Sequence, residues 1–126
     1  MPCDVVMTQL PEVDADGKDA TAATPLKIAT WNVRTLLKKG KLANVIHEMH
    51  RHEVNILGVS ETHWKNDGDF DSDSVRVIYA GGNYSQRGVA LLLDESVAKC
   101  VTQVERYKDR ILHIKVSAKP VNLSVI

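Results

Sequence analysis

The chain has 126 residues, room for one modest hydrophobic core. Sixteen basic and sixteen acidic residues cancel, so bulk charge argues for neither a nucleic-acid partner nor a membrane surface. Two cysteines, Cys3 and Cys100, make no disulfide framework and suit a reducing compartment. No apolar run reaches the length of a membrane span, and the N-terminus lacks the basic start and apolar core of a secretory signal.

Residues 1–25 are rich in Asp, Thr, Ala and Pro without lasting periodicity and read as a disordered tail. A single domain is expected over 26–126. Lys27 to Val33 alternates with apolar groups on both faces, as in a strand covered on both sides. After Gly40, residues Leu42, Val45, Ile46 and Met49 recur at i, i+3, i+4 and i+7, the stripe of an amphipathic helix. The stripe residues Ile46 and Met49 should be buried, and His47 and Glu48 exposed. His47, His50 and His52 lack the spacing and partners of a zinc site and read as solvated. Ile56 to Val59 is continuously apolar and reads as a buried strand.

Asp67 to Asp73 alternates acids but lacks the Gly and closing Glu of a calcium loop, so a solvated loop is expected. Val75–Ala80 and Gly88–Leu93 read as strands joined by a Gly/Asn-containing turn over 81–87. Val101–Tyr107 and Ile111–Val116 read as a hairpin around Lys108-Asp109-Arg110. Val121 to Ile126 reads as a further strand that ends in mid-run, as in a domain cut short.

Strand, helix and strand over 27–64 make a βαβ unit, whose strands are parallel. Asn32 and Glu61 close its two strands and therefore emerge on one edge of the sheet, the edge where open α/β sheets bind ligands. A carboxylate and a carboxamide meeting there suit a hard cation, or a phosphate held through it. Taken singly, Asn at a strand end is commonly a turn former and Glu there commonly exposed. Arg34, Lys38, Lys39 and Lys41 follow Asn32 and by themselves read as a solvated loop and helix start.

Two stretches, Ile28-Ala29-Thr30-Trp31-Asn32-Val33-Arg34-Thr35-Leu36 and Ile56-Leu57-Gly58-Val59-Ser60-Glu61-Thr62-His63-Trp64, resemble the endonuclease/exonuclease/phosphatase superfamily. The likeness is to the nuclease-like domains of LINE-type retrotransposons and of craniofacial development protein 2-like proteins. A weaker third match is Gly81-Gly82 followed by Arg87-Gly88-Val89-Ala90-Leu91-Leu92-Leu93. The resemblance implies an α/β (α+β) fold, the N-terminal half of a two-sheet αββα sandwich with a mixed sheet and a βαβ start. It implies a magnesium ion held by Glu61 with Asn32 beside it, a DNA substrate, and phosphate contacts from Arg34 and His63. An intracellular, nuclear location follows from the same likeness. The family's later motifs, which carry its general base and acid, are absent, so little activity is expected of this chain alone. Two alternatives remain: a non-catalytic, domesticated or degenerate remnant serving as an interaction module, and a lipid or inositol phosphate phosphatase-type member. A half-domain would also leave a sheet face and a strand edge uncovered, favouring self-association.

Overall fold

A computed structural model describes residues 26–82, 87–108, 110–117 and 123–126. The proposed tail over 1–25, Cys3, the turn residues 83–86, Asp109 and the start of the last strand at 121–122 lie outside the described residues.

The elements run β1 (Ile28–Asn32), α1 (Lys41–Arg51), β2 (Ile56–Ser60), β3 (Asp67–Ser72), β4 (Val75–Ala80), β5 (Val89–Leu93), α2 (Glu95–Ala98), β6 (Val101–Tyr107), β7 (Ile111–Val116) and β8 (Leu123–Val125). They form a five-stranded mixed sheet of order β1-β2-β5-β4-β3 and a three-stranded antiparallel sheet of order β6-β7-β8. β1 and β2 are parallel, with Ile28 opposite Ile56 and Asn32 opposite Ser60; every other pairing is antiparallel. The fold is thus α+β with two sheets and a βαβ start, as the sequence implies.

The pleat sends alternate residues to two cores. On one face Leu57, Val59, Val77, Ala90 and Leu92 meet Val45, Ile46 and Met49 of α1. On the other, Ile56, Ile78, Leu91 and Leu93 meet Leu112, Ile114 and Val116 of the small sheet. The apolar stripe read from the sequence is therefore the buried face of α1, and His47 is exposed as expected. Glu48 is only half-exposed, because its carboxylate holds Arg51 and His52, each at 3.4 Å. The helix ends on Glu53 in the left-handed region (φ 55°), with Glu53 N–H donating to the His50 carbonyl and Val54 N–H to that of Met49. This is the Schellman arrangement, here without glycine.

Three sequence expectations need correcting. Asp67–Asp73 is not a loop: residues 67–72 form β3, paired along its length with β4. Its acids sit on an edge strand, where charge is tolerated and discourages further pairing. Phe70 packs against Trp64 and Tyr79, while Asp69 takes a two-point ion pair from Arg76. The connection is the two residues Asp73 and Ser74, both at positive φ (49° and 66°), as a tight hairpin turn requires. Next, α2 has no counterpart in the sequence reading. A single turn shows no periodicity, and its signal is Asp94, whose carboxylate caps the Val97 N–H at 2.9 Å. Finally, β1 is not a strand covered on both sides: it is the edge of the large sheet, with Ile28 and Trp31 both exposed. Among the described residues no helix is long and apolar enough to cross a membrane.

Candidate functional site

The two edges of the parallel pair differ in chemistry. At the amino edge the polar side chains satisfy one another. Asn55 accepts from Lys27 N–H at 2.8 Å and donates to Asp94 at 2.6 Å, while Lys27 Nζ reaches the His52 carbonyl at 2.8 Å. That network ties the starts of β1, β2 and α2 together.

At the carboxyl edge the opposite holds. Asn32 faces Ser60 across the ladder, and Glu61 is the next residue. Val33 N–H donates to the Ser60 carbonyl at 3.2 Å and Leu36 N–H to that of Thr62 at 2.8 Å, so the segment 33–36 lies zipped along 60–62. Asn32 and Glu61 are both exposed. Asn32 Oδ1 accepts the Arg34 N–H at 3.2 Å, the turn-forming use of asparagine, and its amide nitrogen has no partner among the described residues. The carboxylate of Glu61 and the cationic groups of Arg34, Lys38, Lys39 and Lys65 likewise carry no ion pair or side-chain hydrogen bond there.

The backbone of this edge is strained. Arg34 (φ 58°), Thr35 (146°), Glu61 (56°), His63 (63°) and Asn66 (67°) all lie at positive φ without being glycine. Such residues cost of order 1–3 kcal/mol each and persist where their surroundings over-determine them. The surroundings here are Thr62 and two glycines. Thr62 is fully buried. Its N–H donates to the Gly88 carbonyl at 3.2 Å, and its hydroxyl oxygen accepts the Trp64 N–H at 3.3 Å. A Cβ at Gly88, itself at φ 120°, would stand 2.3 Å from that hydroxyl. One at Gly81 would stand 2.1 Å from the Trp64 carbonyl oxygen. The loop 61–66 is therefore clamped between the end of β4 and the start of β5 by approaches only glycine permits. Thr62, Gly81 and Gly88 support the site, though no sequence signal gives them that role. Thr62 falls within the second matching stretch and both glycines within the third, weaker one.

The named residues do not all share one concavity. Asn32 and Ser60 line a groove of about 460 Å³ between the two sheets, together with Arg110 and Ile126. His63 lines a separate pocket with Trp64 and Lys65. Arg34 is joined to Asn32 through its backbone, and its guanidinium is exposed.

Among the described residues no three His, Cys, Asp or Glu side chains converge. That donor set does not fit zinc, which takes four nitrogen or sulfur ligands, or three with a water. Magnesium asks less of the protein, one or two carboxylates with waters or substrate oxygens completing its shell.

No protein-family model matches the chain. It is 38% identical over 100 residues to craniofacial development protein 2 of Bos taurus, an alignment covering 79% of this chain. The same protein of Tragulus javanicus is likewise 38% identical over 100 residues. The chain spans 17% of the length of these curated relatives.

Proposed function

We propose that the chain supplies part of a magnesium-dependent phosphodiesterase site of the retroelement endonuclease type, acting on DNA. The observation that carries this reading is the carboxyl edge of the β1–β2 pair: Asn32 stands opposite Ser60, the residue before Glu61, and both Asn32 and Glu61 are exposed, whereas the polar groups of the opposite edge are hydrogen-bonded to one another. Glu61 would hold the metal, and Asn32, through its amide nitrogen, would orient a phosphate oxygen or a catalytic carboxylate without adding charge. Arg34 and His63 would meet flanking phosphates. When bound, the ion supplies neutralisation of the phosphoryl oxygens and of the leaving alkoxide. The motif likeness favours DNA over lipid or inositol phosphates, and the cations around the edge, which have no ionic partner among the described residues, agree with a polyanion.

In-line hydrolysis also needs a base for the attacking water and an acid for the leaving oxygen. Neither is assigned to a residue of this edge. Groups that act as a unit lose orders of magnitude when members are missing. Residues 1–126 should therefore nick supercoiled plasmid in magnesium no faster than their Glu61→Ala variant. In a longer protein that carries the chain and restores the missing groups, nicking should appear and should vanish with Glu61→Ala. Nicking by the longer protein that survives Glu61→Ala would remove Glu61 from the site. The competing reading, a non-catalytic interaction module, is favoured by one observation: Ile28 and Trp31 on β1 are 50% and 40% exposed.

A further inference from the structure

We propose that the pocket after β2, built on Trp64, Phe70 and Tyr79, seats one base of a DNA strand whose phosphate lies at the Glu61 edge. The inference rests on the phosphodiesterase reading and assigns that site a base-binding position. The three rings meet edge-to-face or tilted, with centroids 5.1–6.0 Å apart, and Phe70 keeps 36% of its surface exposed. The cluster is not sealed off: it lines an open pocket of about 500 Å³. That is within the roughly 300–1,000 Å³ typical of small-ligand sites.

The rest of the lining identifies the occupant. Lys65 and His63 line the pocket, and no carboxylate does. Lys65 has no ionic partner among the described residues, and Lys38 and Lys39, equally partnerless, follow Leu37, which is itself 60% exposed on the pocket wall. An aromatic floor with an unneutralised cationic rim is complementary to a planar base carrying anionic linkers, because stacking accepts any base and the cations accept the phosphates. Reach agrees. Trp64 follows Glu61 by three residues, at most about 11 Å of chain. A strand rises about 3.4 Å per nucleotide, so a phosphate at Glu61 places a base two or three nucleotides away at the pocket. The clamp on loop 61–66 by Thr62, Gly81 and Gly88 holds the two subsites at fixed separation.

The test uses residues 1–126 carrying Trp31→Phe, so that Trp64 alone reports, with a chelator present and no divalent metal. Pentathymidylate and an abasic phosphodiester pentamer of equal charge are titrated in low salt. Pentathymidylate should quench Trp64 emission and bind about tenfold tighter than the abasic pentamer, the scale of one base–aromatic stack. Phe70→Leu, which keeps the apolar bulk, should erase most of that preference. Lys65→Ala should weaken both pentamers alike. Equal binding of the two pentamers, or unchanged Trp64 emission at saturation, overturns the proposal. Because nothing is cleaved and no metal is present, that outcome is separate from the fate of the plasmid assay.

Discussion

Glu61 carries two burdens, a carboxylate placed at the sheet edge and a left-handed backbone at φ 56°. They separate by substitution. Glu61→Ala removes the carboxylate and keeps the strain, whereas Glu61→Gly removes both. Although glycine also loses more chain entropy on folding, the left-handed penalty of about 1–2 kcal/mol for an ordinary residue outweighs it. The glycine variant should melt several degrees above the alanine variant, since about 1 kcal/mol moves a domain of this size by roughly 4–8 °C. Equal melting temperatures would mean that the loop relaxes out of the left-handed region at no cost. Gly88 is the converse case. Gly88→Ala meets both an unfavourable φ of 120° and the buried Thr62 hydroxyl. It should cost about 2–3 kcal/mol. Pairing it with Thr62→Ser, which keeps the hydroxyl, should recover little; pairing it with Thr62→Ala should recover part, as read in urea midpoints.

At the level of elements, legibility followed how local the signal is. α1, β2 and β5 announce themselves through stripes and continuous apolar runs, and β4, β6 and β7 run between the residues that their alternation indicates. β3 does not, because Asp-Gly-Asp-Phe-Asp-Ser has the composition of a loop. What makes it a strand is its partner: β4 supplies the ladder, and Arg76 binds Asp69 at 2.9 and 2.6 Å while its third nitrogen touches the Ala98 carbonyl at 3.5 Å. The hydrogen bond from Arg76 holds the Asp69 carboxyl below its ordinary value of 3.8. A lowered acid contributes stability at every pH above its unfolded value and loses it as the pH falls through the folded one. For this half-exposed pair that contribution is about 1 kcal/mol or less. Asp69→Asn should therefore destabilise the chain modestly near neutral pH, and its deficit should close below about pH 4, as the native carboxyl protonates. Thermal melts of both proteins across that range decide it: a deficit that does not change with pH would assign the loss to packing rather than charge. The site divides in the same way as the elements. Asn32 and Glu61 were legible because a βαβ unit sends both strand ends to one edge, while the supporting Thr62, Gly81 and Gly88 act across 20 or so residues of sequence and leave only glycines to see.

On the scale of the whole molecule the large sheet has two unlike edges. β3 presents three aspartates, which repel a second strand. β1 presents Ile-Ala-Thr-Trp-Asn, without a charge, and among the described residues only β2 pairs with it. The small sheet covers Ile56, Ile78, Leu91 and Leu93 but stops short of Ile28, which is 50% exposed. On the other face Trp31, 40% exposed, stands beside a cleft lined by Met49, Val54 and Leu57. A strand with apolar groups on both faces and an open ladder is a template for another strand. Re-burying half of an isoleucine contributes about 1 kcal/mol, and the new ladder adds backbone hydrogen bonds to it. Residues 1–126 should accordingly self-associate, with a weight-average mass in sedimentation equilibrium that rises with concentration. Ile28→Lys places a charge on that edge and should return the protein to a monomer with its circular dichroism unchanged. A native chain that stays monomeric over the same range would show that β1 is already covered. Association that persists in Ile28→Lys would move the contact to another surface, with the exposed Tyr107 and Ile111 of the small sheet next to be tested.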